Sequence, residues 1–149
     1  MKSIRVLSIV ALVMSCHCHQ LSSQTVVSPG MKLGHTFGEN GGFTWGFEVS
    51  ITSFTHPPYY GGVVDIDFCK ERTKLHIGFQ ASLIAGASIG PTWIWEDRQQ
   101  DVGFSVIPFA GVFLYPYYAY TVRPEKPDLQ EIGSYLKIPI AINGKLMKL

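Results

Sequence analysis

The segment from Arg72 to Trp95 constrains the fold more than any other, because its apolar residues recur at every second position. In the first half, the apolar parity comprises Leu75, Ile77, Phe79 and Ala81. In the second half it comprises Ala87, Ile89, Trp93 and Trp95. The intervening positions as far as Thr92 are polar or small. A period of two indicates β-strands that each have one apolar face and one polar face.

The same alternation recurs through most of the chain and is clearest between Phe43 and Thr52. Turn signals separate the segments, among them Asn40-Gly41, a pair that favours a tight hairpin. About eight strands of roughly nine to twelve residues result, which is the length a tilted strand needs to cross a bilayer. The pattern predicts an all-β fold, an antiparallel up-and-down β-barrel of about eight strands, occupying residues 24–149.

Residues 102–122 are less regular, since both parities are apolar or aromatic from Ile107 onward. We place a turn near Pro108 to Gly111 and leave the strand count there open. The four connections expected on the outer side are 39–42, 69–72, 97–101 and 123–130.

The low charge content favours a membrane barrel over an ordinary soluble domain. Charged residues form 15% of the chain, against roughly 25% for soluble proteins. The net charge of +1 gives no reason to expect nucleic acid as a partner. A small soluble β-sandwich, or an exported soluble barrel that binds a small apolar ligand, remains the alternative.

The N-terminus has the features of an export signal. Lys2 and Arg5 precede the apolar stretch 6–14, so residues 1–23 are interpreted as a signal peptide. A second possibility is a lipid anchor at Cys16, because Val13-Met-Ser-Cys16 is similar to a bacterial lipobox. The neighbouring Cys-His-Cys-His cluster lies in the segment expected to be removed, so we predict no metal site.

The polar parity carries charged residues that would meet inside a barrel. Because an eight-stranded barrel is just wide enough for side chains to fill, these charges should form ion pairs in a plugged core. The alternative is a paired-carboxylate site on Asp65 and Asp67 that performs acid–base chemistry. The candidate interior network comprises Lys32, Glu48, Asp65, Asp67, Lys74 and Lys137.

Tyrosine and tryptophan residues near the predicted strand ends are candidates for the two aromatic girdles of a membrane barrel. The competing interpretation is ordinary core packing in a sandwich. The candidate interface aromatics are Trp93, Trp95, Tyr115, Tyr117 and Tyr118.

A lipid-modifying barrel enzyme is the third hypothesis. His76 could serve as the base for Ser82 or Ser88, and His76 and Ser82 share a face. No third orienting residue is evident, so we predict no catalytic residues and no cofactor.

Repeated glycine-containing amphipathic hairpins, such as 42–50 and 86–95, resemble those of small bacterial outer-membrane β-barrels of the OmpA/OmpX-like kind. The resemblance covers 30–142 and implies a bacterial outer-membrane location. We expect a monomeric, non-catalytic barrel with a structural or surface-interaction role, with membrane lipid as its partner and any protein partner unknown.

Overall fold

A computed structural model describes residues 24–38, 40–54 and 57–142, and every regular element in this part of the chain is a β-strand. The predicted signal peptide and the possible anchor at Cys16 lie outside the described residues. No described helix is long and apolar enough to cross a membrane. The strands are β1 Gln24–Phe37, β2 Gly42–Phe54, β3 Tyr59–Cys69, β4 Arg72–Ser82, β5 Ala85–Glu96, β6 Gln99–Ala110, β7 Leu114–Val122, β8 Leu129–Lys137 and β9 Ile140–Ala141.

The strands form a closed, antiparallel, up-and-down barrel, as predicted. Each of β1 to β8 pairs with its neighbours in the sequence, and β8 pairs with β1, where Gly30 lies opposite Lys137. The short β9 continues the edge of β8 beyond Ile138 and Pro139 and also pairs with β1. The wall of the barrel therefore consists of eight strands, and closure leaves none of the described strands β1 to β8 at an open sheet edge.

Several strand boundaries differ from the sequence pattern, in which the alternation starts at Gly30, Pro57-Pro58 favours a loop through Tyr60, and the last strand extends from Ile132 to Ile142. β1 starts at Gln24 and not at Gly30, because Val26 pairs with Ala141 and its side chain is fully buried. Tyr59 and Tyr60 belong to β3 and not to a loop. β8 is interrupted at Ile138 and Pro139 and does not continue unbroken to Ile142.

The two ends of the barrel differ in chemistry. The connections after β1, β3, β5 and β7 lie at one end, which we call the polar rim because they contain Asn40, Lys70, Glu71 and residues 97–98 and 123–128. Asp97 and Arg98 form a two-residue hairpin turn, and both have positive φ angles, of 52° and 63°, as in a type I′ turn. At the opposite end, the connections after β4 and β6 carry Leu83, Ile84, Val112 and Phe113, which we call the apolar rim.

The barrel reverses the usual distribution of polar and apolar side chains. Among the described residues, twenty polar or charged side chains are buried, including those of Lys32, Asp65 and Glu131 at about 1% exposure. Large apolar residues cover the outer wall of every strand from β1 to β8, with exposed fractions from 39% for Trp95 to 65% for Phe43. The parity that carries the buried charged residues therefore faces inward, and the opposite parity, with the large exposed apolar residues, faces outward.

Candidate functional site: the charged interior

Lys32 is the centre of the interior network. Its Nζ atom lies 3.0 Å from Asp65 Oδ2, 2.7 Å from Asp67 Oδ2 and 3.2 Å from Glu131 Oε1. The ammonium group also lies 4.7 Å from the centre of the Tyr117 ring. Three strands thus supply carboxylates and aromatic faces to a single cation, which offsets part of the cost of burying it.

Lys74 is the second cation of this network and bridges its two sides. Its Nζ atom lies 3.1 Å from Asp67 Oδ2 and also forms an ion pair with Glu131. The Tyr117 hydroxyl donates a hydrogen bond of 2.5 Å to Glu131 Oε1. β1, β3, β4, β7 and β8 are therefore joined across the lumen by side chains.

Tyr117 faces the interior, so its assignment as an interface aromatic was wrong. Its hydroxyl group lies against Gly34 and Gly133, which are paired across β1 and β8. A Cβ atom on either glycine would lie 2.6 Å from the Tyr117 hydroxyl oxygen. The two glycines leave the space through which Tyr117 reaches Glu131.

Tyr115 has the same parity as Tyr117 and also lies on the inner side, which corrects its assignment too. Its ring and that of Phe109 flank Lys137, whose Nζ atom lies about 5 Å from each ring centre. Lys137 forms an ion pair of 2.5 Å with Glu48 Oε1. Trp93 and Trp95 on β5 and Tyr118 on β7 lie at outward-facing positions, where interface aromatics were predicted.

His76 belongs to a layer of hydroxyl groups and does not pair with a carboxylate. Its Nε2 atom lies 2.8 Å from Ser88 Oγ, and its Nδ1 atom lies 3.1 Å from Thr92 Oγ1. A chain of hydroxyl contacts continues from Thr92 through Ser105 to Thr121. A Cβ atom at Gly78 would lie 2.5 Å from His76 Nε2, so this glycine leaves room for the ring.

A third group of charges closes the barrel at the polar rim. The Arg72 guanidinium donates to Glu96 Oε1 at 2.7 Å, and Arg123 Nη1 donates to Glu96 Oε2 at 3.2 Å. The Tyr120 hydroxyl, near the end of β7, donates to Asp128 in the loop that follows, and this hydrogen bond lowers the pKa of the Asp128 carboxyl. These contacts tie three connections together.

All six predicted network residues lie inside the barrel and take part in ion pairs. They form two groups, with Glu48 and Lys137 separate from the cluster around Lys32. Sequence reasoning missed Glu131, which lies one residue before the predicted start of the last strand. Glu131 lies two residues before Gly133 and four before Tyr135, so the same alternation would have placed it on the inward face. Arg72 and Glu96 could have been found in the same way from Lys74 and Thr92.

The described interior residues do not form a metal site built from His, Cys, Asp or Glu ligands. Within the described ranges, no group of three or more His, Cys, Asp or Glu side chains is placed to hold a metal ion. The carboxylates of Asp65 and Asp67 instead share the Lys32 ammonium. Two ammonium groups, those of Lys32 and Lys74, are thus shared among the three carboxylates of Asp65, Asp67 and Glu131, and these side chains fill the lumen at this level.

Comparison with known proteins identifies the fold alone. No family model matches the chain, and no curated protein matches it. The chain is similar to the solution NMR structure of the de novo designed TMB2.3, with a TM-score of 0.51 and 9% identity over 80% of this chain and 98% of the other. A second solved structure, described as "De novo design of transmembrane beta-barrels", has a TM-score of 0.46 and 12% identity over 80% and 99% of the two chains.

Proposed function

We propose that this chain is an integral outer-membrane β-barrel of a bacterium, exported by residues 1–23, with a structural or surface-interaction role. The observation that carries the proposal is the apolar outer wall. Phe47, Val49 and Ile51 on β2 are 44–51% exposed, and the other seven barrel strands present similar residues. A soluble protein rarely exposes a contiguous apolar surface of this extent, whereas a lipid-facing wall requires one.

Strand length and backbone pairing support the same proposal. β1 to β8 have 9 to 14 residues each, which is long enough for tilted strands to span the hydrocarbon core. Closure pairs β8 with β1, so neither of these strands is left as an unpaired sheet edge, which a bilayer would not tolerate. Trp45, Trp93 and Trp95 lie on the outer wall near the polar rim, where one aromatic girdle would form.

We infer that the interior is structural and not catalytic. The lumen is filled by ion pairs among Lys32, Lys74, Asp67 and Glu131. The His76–Ser88 contact has the distance of a nucleophile–base pair, but the second nitrogen of His76 contacts the Thr92 hydroxyl and not a carboxylate. A carboxylate at that position would orient and charge-stabilise a catalytic histidine, and a neutral hydroxyl does so weakly.

Fractionation of cells that express the full chain tests membrane residence. We expect the protein in the outer-membrane fraction, released by detergent and not by high salt or alkaline carbonate. The folded barrel should also migrate differently in a gel before and after boiling, because closed barrels resist unheated detergent. Recovery in the soluble periplasmic fraction, with the same mobility in both samples, would support the soluble ligand-binding barrel instead.

A further inference from the structure

A cavity opens into the barrel at the end that carries the apolar rim. Its volume is about 260 Å³, below the range typical of sites for drug-sized ligands. The cavity is therefore large enough for the small head group of a lipid but not for a whole lipid. Ser50, Thr52, Gln80 and Ser82 supply its polar wall, and Phe109 and Tyr115 supply part of its apolar wall.

Gln80 carries an unsatisfied hydrogen-bond acceptor at this cavity. The side chain is 4% exposed, and its Nε2 atom donates a hydrogen bond of 2.8 Å to Thr52 Oγ1. Its Oε1 atom is buried and has no hydrogen-bond partner among the described residues. Leaving such an acceptor unpaired is costly, so the site favours a ligand that donates an N–H or O–H group.

The geometry of the wall fixes Gln80 in this position. Thr52, Gly61 and Gln80 are successive partners across β2, β3 and β4. A Cβ atom at Gly61 would lie 2.0 Å from the Ile51 carbonyl oxygen, so glycine is required there. Because Gly61 has no side chain, Gln80 reaches across it to Thr52.

The charge of the cavity favours a neutral head group. Lys137 is the charged residue that lines it, and its ammonium group forms an ion pair of 2.5 Å with Glu48. The pair has no net charge, so the attraction of the Lys137 ammonium group for an anionic ligand is weakened, and the cavity lining offers a cationic ligand no carboxylate. The hydroxyls of Ser50 and Ser82 add hydrogen-bonding groups that suit a polyol.

The apolar rim supplies a surface for a hydrocarbon chain. Leu83, Ile84, Val112 and Phe113 border the same cavity and are 46–68% exposed. The two turns that carry them are joined by a hydrogen bond of 2.8 Å from the Gly111 amide to the Ile84 carbonyl. Turn residues at the opposite end are mainly polar, so the two apolar turns distinguish the end of the barrel at which the cavity opens.

We propose that the cavity binds a single-chain lipid with an uncharged, hydroxyl-bearing head group, whose tail lies across the apolar rim. This inference is independent of the membrane location, because cavity and rim are present in the folded barrel in either environment. The probe is 1-monooctanoylglycerol, titrated into the full chain in dodecylphosphocholine micelles and followed by NMR at the Gln80 side-chain amide. Methyl octanoate and octanoate are the comparison ligands.

We expect saturable shifts at Gln80 and Ser82, with binding about tenfold weaker for methyl octanoate, since a hydrogen bond of ordinary strength is lost. Gln80→Leu should abolish the difference between the two ligands, whereas Gln130→Leu, on the outer wall near the polar rim, should preserve it. Ser82→Phe should fill the mouth and weaken all three ligands, which provides a second test if Gln80→Leu does not fold. Equal binding of ester and monoglyceride, tighter binding of octanoate, or shifts confined to the outer wall would each overturn the proposal.

Discussion

Replacing Lys32 with methionine should lower the free energy of unfolding by about 3–5 kcal/mol, the cost of leaving buried charges without their partner. Methionine has a similar length and fits the same space but carries no charge. Lys32 is the common partner of Asp65, Asp67 and Glu131. Its loss leaves Lys74 as the cation of this cluster, and Lys74 contacts Asp67 and Glu131 but forms no ion pair with Asp65 among the described residues.

Two further variants separate charge burial from a general effect of losing a lysine. Lys70→Met, at the exposed turn after β3, should stay within about 0.5 kcal/mol of the parent chain. Adding Asp65→Asn to Lys32→Met should restore part of the lost stability, because it removes the carboxylate left unpaired. Denaturant titration of the reconstituted barrel, followed by tryptophan fluorescence, measures all three. A change of less than 1 kcal/mol for Lys32→Met would contradict an essential role for the network.

Placing arginine at Val49 should cost about 2–4 kcal/mol, since Val49 lies at mid-strand on the outer wall, where lipid would surround it. The physical reason is the transfer of a charged group from water to hydrocarbon. The valine is 44% exposed, so steric crowding does not explain such a loss. The same denaturant titration in lipid vesicles measures it.

Val102 provides the matched control. It is 45% exposed on the outer wall of β6, but it lies near the polar rim, next to Asp101. Val102→Arg should cost about 0–1 kcal/mol, as expected near a membrane–water interface. If water covered the outer wall, both arginine variants would fall within about 0.5 kcal/mol of the parent chain. Equal effects at the two positions would therefore argue against a lipid-facing wall.

The fold could be predicted because the alternation is a local signal. β2 alternates from Phe43 to Thr52, and a period of two identifies a strand with one apolar face and one polar face. The number and length of such strands, together with the low charge content, favoured a closed membrane barrel over a sandwich. The parity of Lys32, Asp65 and Lys74 correctly indicated which side chains meet inside. In these strands, the face that the sequence pattern marks as charged is the face that the closed barrel turns inward.

The details of the interior depend on register between strands, which a local pattern does not contain. β7 is aromatic on both parities, so the sequence could not choose the face of Tyr117. The choice depends on Gly34 and Gly133, which lie on two other strands and leave space for the ring. The partners of His76 likewise follow from the pairing of β4 with β5 and not from any motif.

Quenching of the native tryptophans by brominated lipids tests the central claim, an outer wall that faces lipid, most directly. Trp45, Trp93 and Trp95 are the three tryptophans of the chain, and all are on the outward parity near the polar rim. In vesicles, bromine close to the head group should quench their fluorescence strongly, bromine deep in the acyl chain less, and aqueous acrylamide little. Strong quenching by acrylamide with none by either brominated lipid would contradict the account.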